Sequence, residues 1–155
     1  VAGVDVGVTQ QTLSLALGDI DGDGDLDLVQ GNFNQANLLF LNNGSADPFN
    51  SVSGVDVGTA QNTWALALGD IDRDGDLDLL EGNSNQVNRL FLNNGTADPF
   101  NGVASINVSS ALPTRMLALT DVDGDGDLDL LEGIYTDIVH NRPRFGIRLL
   151  AVTHA

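Results

Sequence analysis

Three copies of an acidic nonapeptide give this sequence its clearest chemical signal. The first copy reads Asp-Ile-Asp-Gly-Asp-Gly-Asp-Leu-Asp over residues 19–27, and close copies follow at residues 70–78 and 121–129, each 51 residues further along. Carboxylates at positions 1, 3, 5, 7 and 9 repel one another unless a cation lies among them. Hard oxygen ligands in this number are typical of calcium, which accepts roughly six to eight oxygens. The sequence therefore predicts three calcium ions per chain, one in each acidic loop.

The other positions of the nonapeptide support this prediction. Position 6 is glycine in every copy (Gly24, Gly75 and Gly126). A glycine there allows the chain to turn sharply around an ion. Position 4 varies (Gly22, Arg73 and Gly124), which indicates a side chain that points away from the ion.

The charge balance of the chain agrees with bound cations. There are 22 acidic residues, six arginines and no lysine, which gives a net charge of −16. Fifteen of the acids lie in the nonapeptides, and three divalent ions would bring the net charge to −10. A disordered acidic tail is the weaker interpretation, because the flanking Leu, Ile and Val residues predict ordered strands. No basic patch is present to meet phosphates, so we expect no nucleic-acid partner.

Length and composition predict one domain over residues 1–155. With 42% hydrophobic residues the chain can form a core, and it has no cysteine for disulfides or thiolate chemistry. No apolar run approaches the roughly 20 residues that span a bilayer, so we expect no membrane span.

The acidic loops belong to a longer internal repeat. Residues 1–50 and 52–101 are identical at 37 of 50 positions, which divides the chain into units of about 1–51, 52–102 and 103–155. Each unit carries four short strand signals, which in the first unit are residues 4–6, 13–17, 26–29 and 38–41. The last of these is apolar on both faces, which predicts packing on both sides. Asn-Gly at 43–44 and 94–95 predicts hairpin turns.

Four short antiparallel strands per unit, stacked between like units, describe a propeller blade. We therefore predict an all-β fold of β-propeller-type blades, with three four-stranded antiparallel repeats of 51 residues. The propeller is incomplete within one chain, because closure takes roughly four to eight blades. Similarity between the units stops after Gly133, so the third unit is atypical. Residues 145–153 are predicted to form a strand of unknown register.

Residues 16–32, which read A-L-G-D-I-D-G-D-G-D-L-D-L-V-Q-G-N, resemble the FG-GAP/VCBS repeat. This is the blade motif of integrin α-subunit propellers and of many secreted bacterial proteins, and the resemblance covers about residues 1–133. It implies a calcium ion held in the hairpin between the first two strands of a blade. Carried over by position, it implies four carboxylate ligands and one backbone carbonyl per loop. The implied ligands are Asp19, Asp21, Asp23, Asp27 and carbonyl Asp25; Asp70, Asp72, Asp74, Asp78 and carbonyl Asp76; and Asp121, Asp123, Asp125, Asp129 and carbonyl Asp127.

An EF-hand, or a dockerin built on similar loops, is the main alternative. Glu81 and Glu132 stand at the twelfth position, where the EF-hand pattern has a bidentate glutamate. That motif needs helices on both sides of the loop. Here the flanks alternate with period two, and the glycines that follow (Gly31, Gly82 and Gly133) would break an exiting helix. We therefore favour strands.

Signals for catalysis are weak, and we expect no catalytic residue and no enzyme activity. His140 and His154 lie in the atypical tail, outside any recognisable nucleophile or metal motif. Trp64 occupies the repeat position of Leu13 and Arg115, so we expect it between blades rather than in a ligand platform.

The most consistent function is a calcium-binding extracellular or cell-surface module for adhesion, ligand binding or assembly, with a carbohydrate or protein ligand. Weak calcium loops fit the calcium concentrations found outside cells. The alternative is a propeller fragment of a secreted polysaccharide- or lipid-active enzyme. The first unit has no preceding blade in the chain and the third lacks its own last strand. We therefore expect a head-to-tail homo-oligomer, with a six-bladed dimer as the first choice and a filament, or excision from a longer propeller, as the second. The alternative is a monomer in which the tail after Gly133 folds over and caps the third blade.

Overall fold

The protein is an all-β, antiparallel structure. The computed structural model describes residues 5–7, 9–139 and 142–150. Within this part of the chain no helix is long and apolar enough to cross a membrane. The strands are β1 (Thr12–Gly18), β2 (Asp27–Phe40), β3 (Val55–Gly69), β4 (Asp78–Gln86), β5 (Arg89–Phe91), β6 (Ile106–Asn107), β7 (Leu112–Thr120), β8 (Asp129–Val139) and β9 (Arg142–Leu150).

Unit 2 displays the four-stranded blade most clearly. The second half of β3 pairs with β4, β4 pairs with β5, and β5 pairs with β6, all antiparallel. In unit 1, β2 runs continuously through the positions of the second and third blade strands. The predicted strand at residues 38–41 is buried, as its two apolar faces indicated. These features confirm the predicted blade fold.

Long strands join consecutive units. The first half of β3 pairs with β2 of unit 1, with Val55 opposite Leu39, and its second half pairs with β4 of unit 2. The last strand of one blade therefore leads directly into the first strand of the next. Of the corresponding segment predicted at residues 4–6, Val4 lies outside the described residues, and Asp5 and Val6 are not in a strand.

Unit 3 differs after its acidic loop. Strands β8 and β9 form a long hairpin in which Leu150 pairs with Leu130 and Arg142 pairs with Val139. This hairpin supplies the register that the sequence left open, although residues 151–153 lie outside the described residues. In the described part of the chain, residues 103–155 contain β6, which completes the blade of unit 2, and the three strands β7 to β9.

The Asn-Gly pairs lie in hairpin connections between antiparallel strands, as predicted. Gly44 and Gly95 do adopt positive φ angles of 68° and 66°. They lie, however, in long connections, and in unit 1 this connection covers residues 41–54 between β2 and β3. Asn34 within β2 and Asn85 near the end of β4 also have positive φ angles, of 60° and 59°. Asparagine tolerates this left-handed conformation better than most residues.

Glycines allow the units to approach one another closely. A Cβ atom added at Gly18 would lie 2.8 Å from Leu77 Cδ1 and 2.9 Å from Leu68 Cδ1, both in unit 2. A Cβ at Gly31 would lie 3.2 Å from Leu66 Cδ1. The same arrangement recurs between units 2 and 3, where leucines of unit 3 contact Gly69 and Gly82. Leucines of each later unit thus pack on the glycines of the unit before it, which buries apolar surface between blades.

A buried polar network crosses the same interface. Asn37 of unit 1 donates from Nδ2 to Thr63 Oγ1 at 3.1 Å and to Glu81 Oε1 at 2.6 Å in unit 2. Its Oδ1 accepts the Asn32 amide at 2.9 Å. Asn88 repeats the two contacts to unit 3, with Thr114 and Glu132 as acceptors. All of these side chains are buried, so each hydrogen bond replaces one that water can no longer supply.

We expect Asn37→Ala to lower the free energy of unfolding by about 2 kcal/mol or more, because it removes the buried donor that bonds to Glu81 Oε1 and to Thr63 Oγ1. Chemical denaturation monitored by circular dichroism measures the change. Asn50→Ala provides the matched control, since Asn50 is exposed, and its effect should stay within about 0.5 kcal/mol. Equal effects of the two substitutions would contradict a structural role for the network.

Candidate metal centres

Each acidic loop closes the hairpin between the first two strands of a blade. In loop 1 (residues 19–27), Gly18 pairs with Asp27 across the base. The same pairing joins Gly69 with Asp78 at the base of loop 2 (residues 70–78), and Thr120 with Asp129 at the base of loop 3 (residues 121–129). Positions 1 and 9 therefore face each other at the ends of the two strands.

Backbone amides hold the carboxylates of loop 1 in place. Asp27 Oδ2 accepts the Ile20 amide at 2.8 Å, and Asp19 Oδ2 accepts the Gly24 amide at 3.0 Å. Gly24 has a φ of 95°, which a residue with a side chain rarely adopts. Asp21 Oδ1 accepts the Asp23 amide at 3.3 Å. Loop 2 repeats all three contacts.

Three of the five acids in each loop converge. The carboxylates at positions 1, 3 and 9 each bring one oxygen within 4.8 Å of the other two. Two oxygens bound to one calcium ion at about 2.4 Å can be at most about 4.8 Å apart, so this spacing is compatible with shared coordination. The three groups are Asp19, Asp21 and Asp27; Asp70, Asp72 and Asp78; and Asp121, Asp123 and Asp129.

The acids at positions 5 and 7 lie outside these groups. Asp23 Oδ1 accepts the Asp25 amide at 2.9 Å, and Asp74 and Asp125 make the same contact with Asp76 and Asp127. The side chain of Asp25 approaches the connection that follows β2, since a Cβ at Gly44 would lie 3.2 Å from Asp25 Oδ2. The roles implied for positions 5 and 7, a carboxylate and a carbonyl ligand, stay predictions.

Two unpaired oxygens in the loops indicate where a cation would fit. Asp19 Oδ1 and Asp70 Oδ1 are buried and have no hydrogen-bond partner. A carboxylate oxygen shielded from water without a donor is unfavourable. A hard divalent cation would satisfy it, and the surrounding donors are the oxygens that calcium prefers. The residues present in loops 1 and 2 therefore fit a bound calcium ion.

Loop 3 is built differently from the other two. Asp121 Oδ1 accepts the Gly124 amide at 2.7 Å, so the oxygen that is unpaired in loops 1 and 2 has a donor here. Asp121 and Asp123 are also exposed, whereas their counterparts in the first two loops are half-buried. The third candidate centre is more open to solvent than the others.

The asparagine that precedes each Asn-Gly pair supports an acidic loop. Asn42 donates its amide to Asp27 Oδ1 at 2.8 Å and its Nδ2 to the Leu26 carbonyl at 3.0 Å. Asn93 makes the same amide contact with Asp78 and also donates Nδ2 to the Ile20 carbonyl of loop 1 at 2.8 Å. The recurring Leu-Asn-Asn-Gly string was the available signal for these residues.

Burial in the folded loops raises the pKa of two of the clustered acids. Partial burial is the main cause of the raised pKa of Asp21, and the nearby negative charge of Asp27 is the second cause. For Asp78 burial also raises the pKa, against the amides of Asn93 and Ile71, which lower it. Both shifts favour the protonated form when no cation is bound.

The EF-hand and dockerin interpretation is wrong. Glu81 lies in β4 and is fully buried. Its carboxylate bonds to Asn37 and pairs with Arg89 at 2.8 Å, so it serves the interface between units instead of the loop. Burial raises the pKa of Glu81, and Arg89 opposes that rise. Glu132, in β8, occupies the same place against Asn88.

Of the remaining candidates of the sequence analysis, Trp64 lies in β3. Arg115 of unit 3 stacks on the Trp64 ring of unit 2, with Cζ 3.4 Å from the ring centre. This contact confirms the interpretation of Trp64 as a residue between blades. His140 and His154 lie outside the described residues.

Comparison with known proteins gives a consistent result. Residues 19–81 match the FG-GAP-like repeat. Cartilage acidic protein 1 of Xenopus tropicalis is 32% identical over 133 residues, which cover 83% of this chain and 20% of that protein. The Homo sapiens protein of the same name is 30% identical over 131 residues, or 81% of this chain and 20% of the relative. The chain thus spans about a fifth of the length of these relatives.

The raised pKa values of Asp21 and Asp78 predict how pH acts on the metal-free protein. Because the folded state holds these protons more tightly than the unfolded state, their contribution to stability is complete below the ordinary pKa of 3.8 and is lost as the pH rises through the raised values. In chelator, the free energy of unfolding should therefore fall as the pH rises from about 4 towards neutrality. Denaturant titrations across this range measure it.

Asp21→Asn should flatten this pH dependence, because it removes one of the groups whose pKa the folded state raises. Asp47→Asn is the control, since Asp47 is exposed and outside the loops, and it should leave the slope unchanged. A free energy of unfolding that rises over the same interval in chelator would contradict the prediction.

Proposed function

Because this chain belongs to the FG-GAP-like repeat family through residues 19–81, we propose that it is a calcium-binding extracellular repeat module. It binds one ion in each of its three acidic loops and serves adhesion, ligand binding or assembly without catalytic activity. The observation that carries the proposal is the threefold recurrence of convergent carboxylates at positions 1, 3 and 9. The two buried and unpaired oxygens, Asp19 Oδ1 and Asp70 Oδ1, support it independently.

The ion would be held by the carboxylates at positions 1, 3 and 9, together with the position 5 carboxylate and position 7 carbonyl that the family pattern implies. When bound, it supplies the positive charge that the crowded acids need. The backbone amides at the base of each loop orient the first and last acids before binding, which reduces the ordering required for coordination. The loop would thereby connect the first two strands of its blade more rigidly.

An extracellular location and an interaction role follow from the same chemistry. Exposed acidic loops with few buried ligands suit the calcium concentrations outside cells. Among the described residues, the proposal rests on the clustered acids and on the backbone amides of Asn42 and Asn93 that bond to them. The ligand we propose is a protein or a carbohydrate.

Calorimetric titration should give three calcium ions per chain. Binding stabilises the folded state, and at a calcium concentration ten times the dissociation constant each site should add about 1.4 kcal/mol to the free energy of unfolding. Thermal unfolding in calcium and in chelator measures the total effect. Coincident melting curves, or a titration without heat, would argue against the proposal.

A single-loop substitution tests the assignment of ligands. Asp21→Asn keeps the shape of the side chain and removes one charge from the loop 1 group, so it should weaken or abolish one of the three sites. Asp47→Asn removes an exposed acid outside the loops and should leave all three intact. A full set of three unchanged sites in Asp21→Asn would exclude this carboxylate as a ligand.

We also propose that copies of the chain associate head to tail. The outer face of unit 1 exposes Leu15, Leu17 and Leu26, the last two with 60% and 57% of their surface accessible. Their counterparts in unit 2 (Leu66, Leu68 and Leu77) contact unit 1. The outer face of unit 3 exposes Met116, Ile147 and Leu149. A contact between these two end faces would remove both apolar surfaces from water.

Sedimentation in calcium should give a mass of at least twice the chain mass of 16.2 kDa. Leu17→Asp blocks one end face and Ile147→Asp blocks the other, so each variant alone should be monomeric. An equimolar mixture should form a dimer and nothing larger, because only one pair of intact faces remains. A monomeric wild-type protein at micromolar concentration, or a mixture that stays monomeric, would contradict head-to-tail contact.

A further inference from the structure

Arg73 is the one basic residue within the three acidic loops. It stands at position 4 of loop 2, where loops 1 and 3 have Gly22 and Gly124. Arg73 has a φ of 66°, in the left-handed region that glycine adopts without strain. An arginine therefore occupies a position whose backbone favours glycine. Contacts of the Arg73 side chain must offset the backbone strain.

The Arg73 side chain crosses from unit 2 to unit 3. Its Nη2 forms an ion pair with Asp127 Oδ1, at position 7 of loop 3. It also lies against the turn of that loop, since a Cβ at Gly126 would lie 3.0 Å from Arg73 Nη2. The Gly126 amide donates in turn to Asp121 Oδ2 at 2.9 Å. The guanidinium thus contacts loop 3 beside the backbone that orients its first acid.

Loops 1 and 2 make no comparable contact with an arginine in the described part of the chain. Position 7 of those loops lies instead beside Gly44 and Gly95 of the connections that follow. Loop 1 is joined to unit 2 through the Asn93 side chain, which bonds to the Ile20 carbonyl. Arg73 therefore makes the loop 2 to loop 3 junction a charged one, whereas the loop 1 junction is a neutral amide contact.

We propose that Arg73 is a built-in cation for loop 3, which holds that loop in shape without calcium and makes it the weakest of the three calcium sites. Only the second part, that loop 3 is the weakest calcium site, rests on the proposed function. A positive charge at the edge of an acidic loop lowers the repulsion among its carboxylates and also repels an incoming divalent ion. The exposed Asp121 and Asp123, and the amide already bound to Asp121 Oδ1, act in the same direction.

The size of the effect depends on screening. The Arg73 side chain is 51% exposed and that of Asp127 is 15% exposed, so solvent and salt weaken the charge. At low ionic strength we expect the Arg73 charge to reduce calcium affinity at loop 3 by about three- to tenfold. The reduction should shrink as salt is added.

The amide of the position 6 glycine reports each loop separately, because it donates to the first acid of its own loop. Calcium titrations followed by proton–nitrogen NMR would use the signals of Gly24, Gly75 and Gly126 in the wild-type chain, Arg73→Gly and Arg73→Lys. Arg73→Gly should lower the calcium midpoint of Gly126 by about three- to tenfold. Arg73→Lys keeps the charge and should stay near wild type, and Gly24 should be unchanged in every variant. An unchanged Gly126 midpoint in Arg73→Gly, or a shift confined to Gly75, would overturn the claim that Arg73 lowers the calcium affinity of loop 3.

A second measurement separates this inference from the calcium proposal. In chelator, amide hydrogen exchange at Gly126 and Asp127 should be faster in Arg73→Gly than in the wild type, because the loop has lost its cation. Equal exchange rates would overturn the structural part of the inference. If no glycine signal responds to calcium in any variant, the proposed function fails, and the exchange rates alone decide whether Arg73 orders loop 3.

Discussion

Crowding of like charge is the constraint around which this protein is organised. Each loop places five carboxylates within nine residues. In loops 1 and 2 the fold fully buries the carboxylate at position 9, which is Asp27 or Asp78. A buried carboxylate is stable only when donors surround it. The Ile20 and Asn42 amides supply them for Asp27, and Ile71 and Asn93 do so for Asp78. The base of the hairpin and the long connection after the third blade strand therefore act together, because both donate amides to the same carboxylate of the acidic loop.

A second constraint, the burial of apolar residues, explains why the units must stack. A blade with apolar residues on both faces cannot bury them by itself, and the leucines of the later units find their cover on Gly18, Gly31 and their equivalents. Glycine permits the approach because it has no side chain. The polar groups trapped by that approach are then satisfied across the interface, Asn37 by Thr63 and Glu81. Apolar packing and buried hydrogen bonds thus depend on the same spacing between blades, and neither would form in an isolated unit.

Features that repeat locally in the sequence were predictable, and features that arise between distant residues were not. The 51-residue period, the strands beside the loops and the all-β blade follow from residues close together in the chain. The bond from Asn37 to Glu81 joins residues 44 positions apart, and no local pattern distinguishes a network asparagine from a turn asparagine. The Asn-Gly pairs predicted the hairpins but not the length of their connections, since the same dipeptide suits a tight turn and a longer connection. Likewise, spacing alone gives five equivalent acids, and only the folded loop separates the convergent three from the other two.

Differences between the units give the stack a direction. The outer face of unit 1 carries the leucines whose equivalents in units 2 and 3 pack on glycines of the preceding unit. This face therefore resembles one half of an interface between units. At the other end, Met116 and Thr120 stand where units 1 and 2 have small residues, Ser14 or Ala65 and Gly18 or Gly69. A leucine that fits over Gly18 would meet the Thr120 side chain in the corresponding contact. Any blade that docks on unit 3 must therefore approach differently from units 2 and 3 on their predecessors, and the two ends of the stack are not interchangeable.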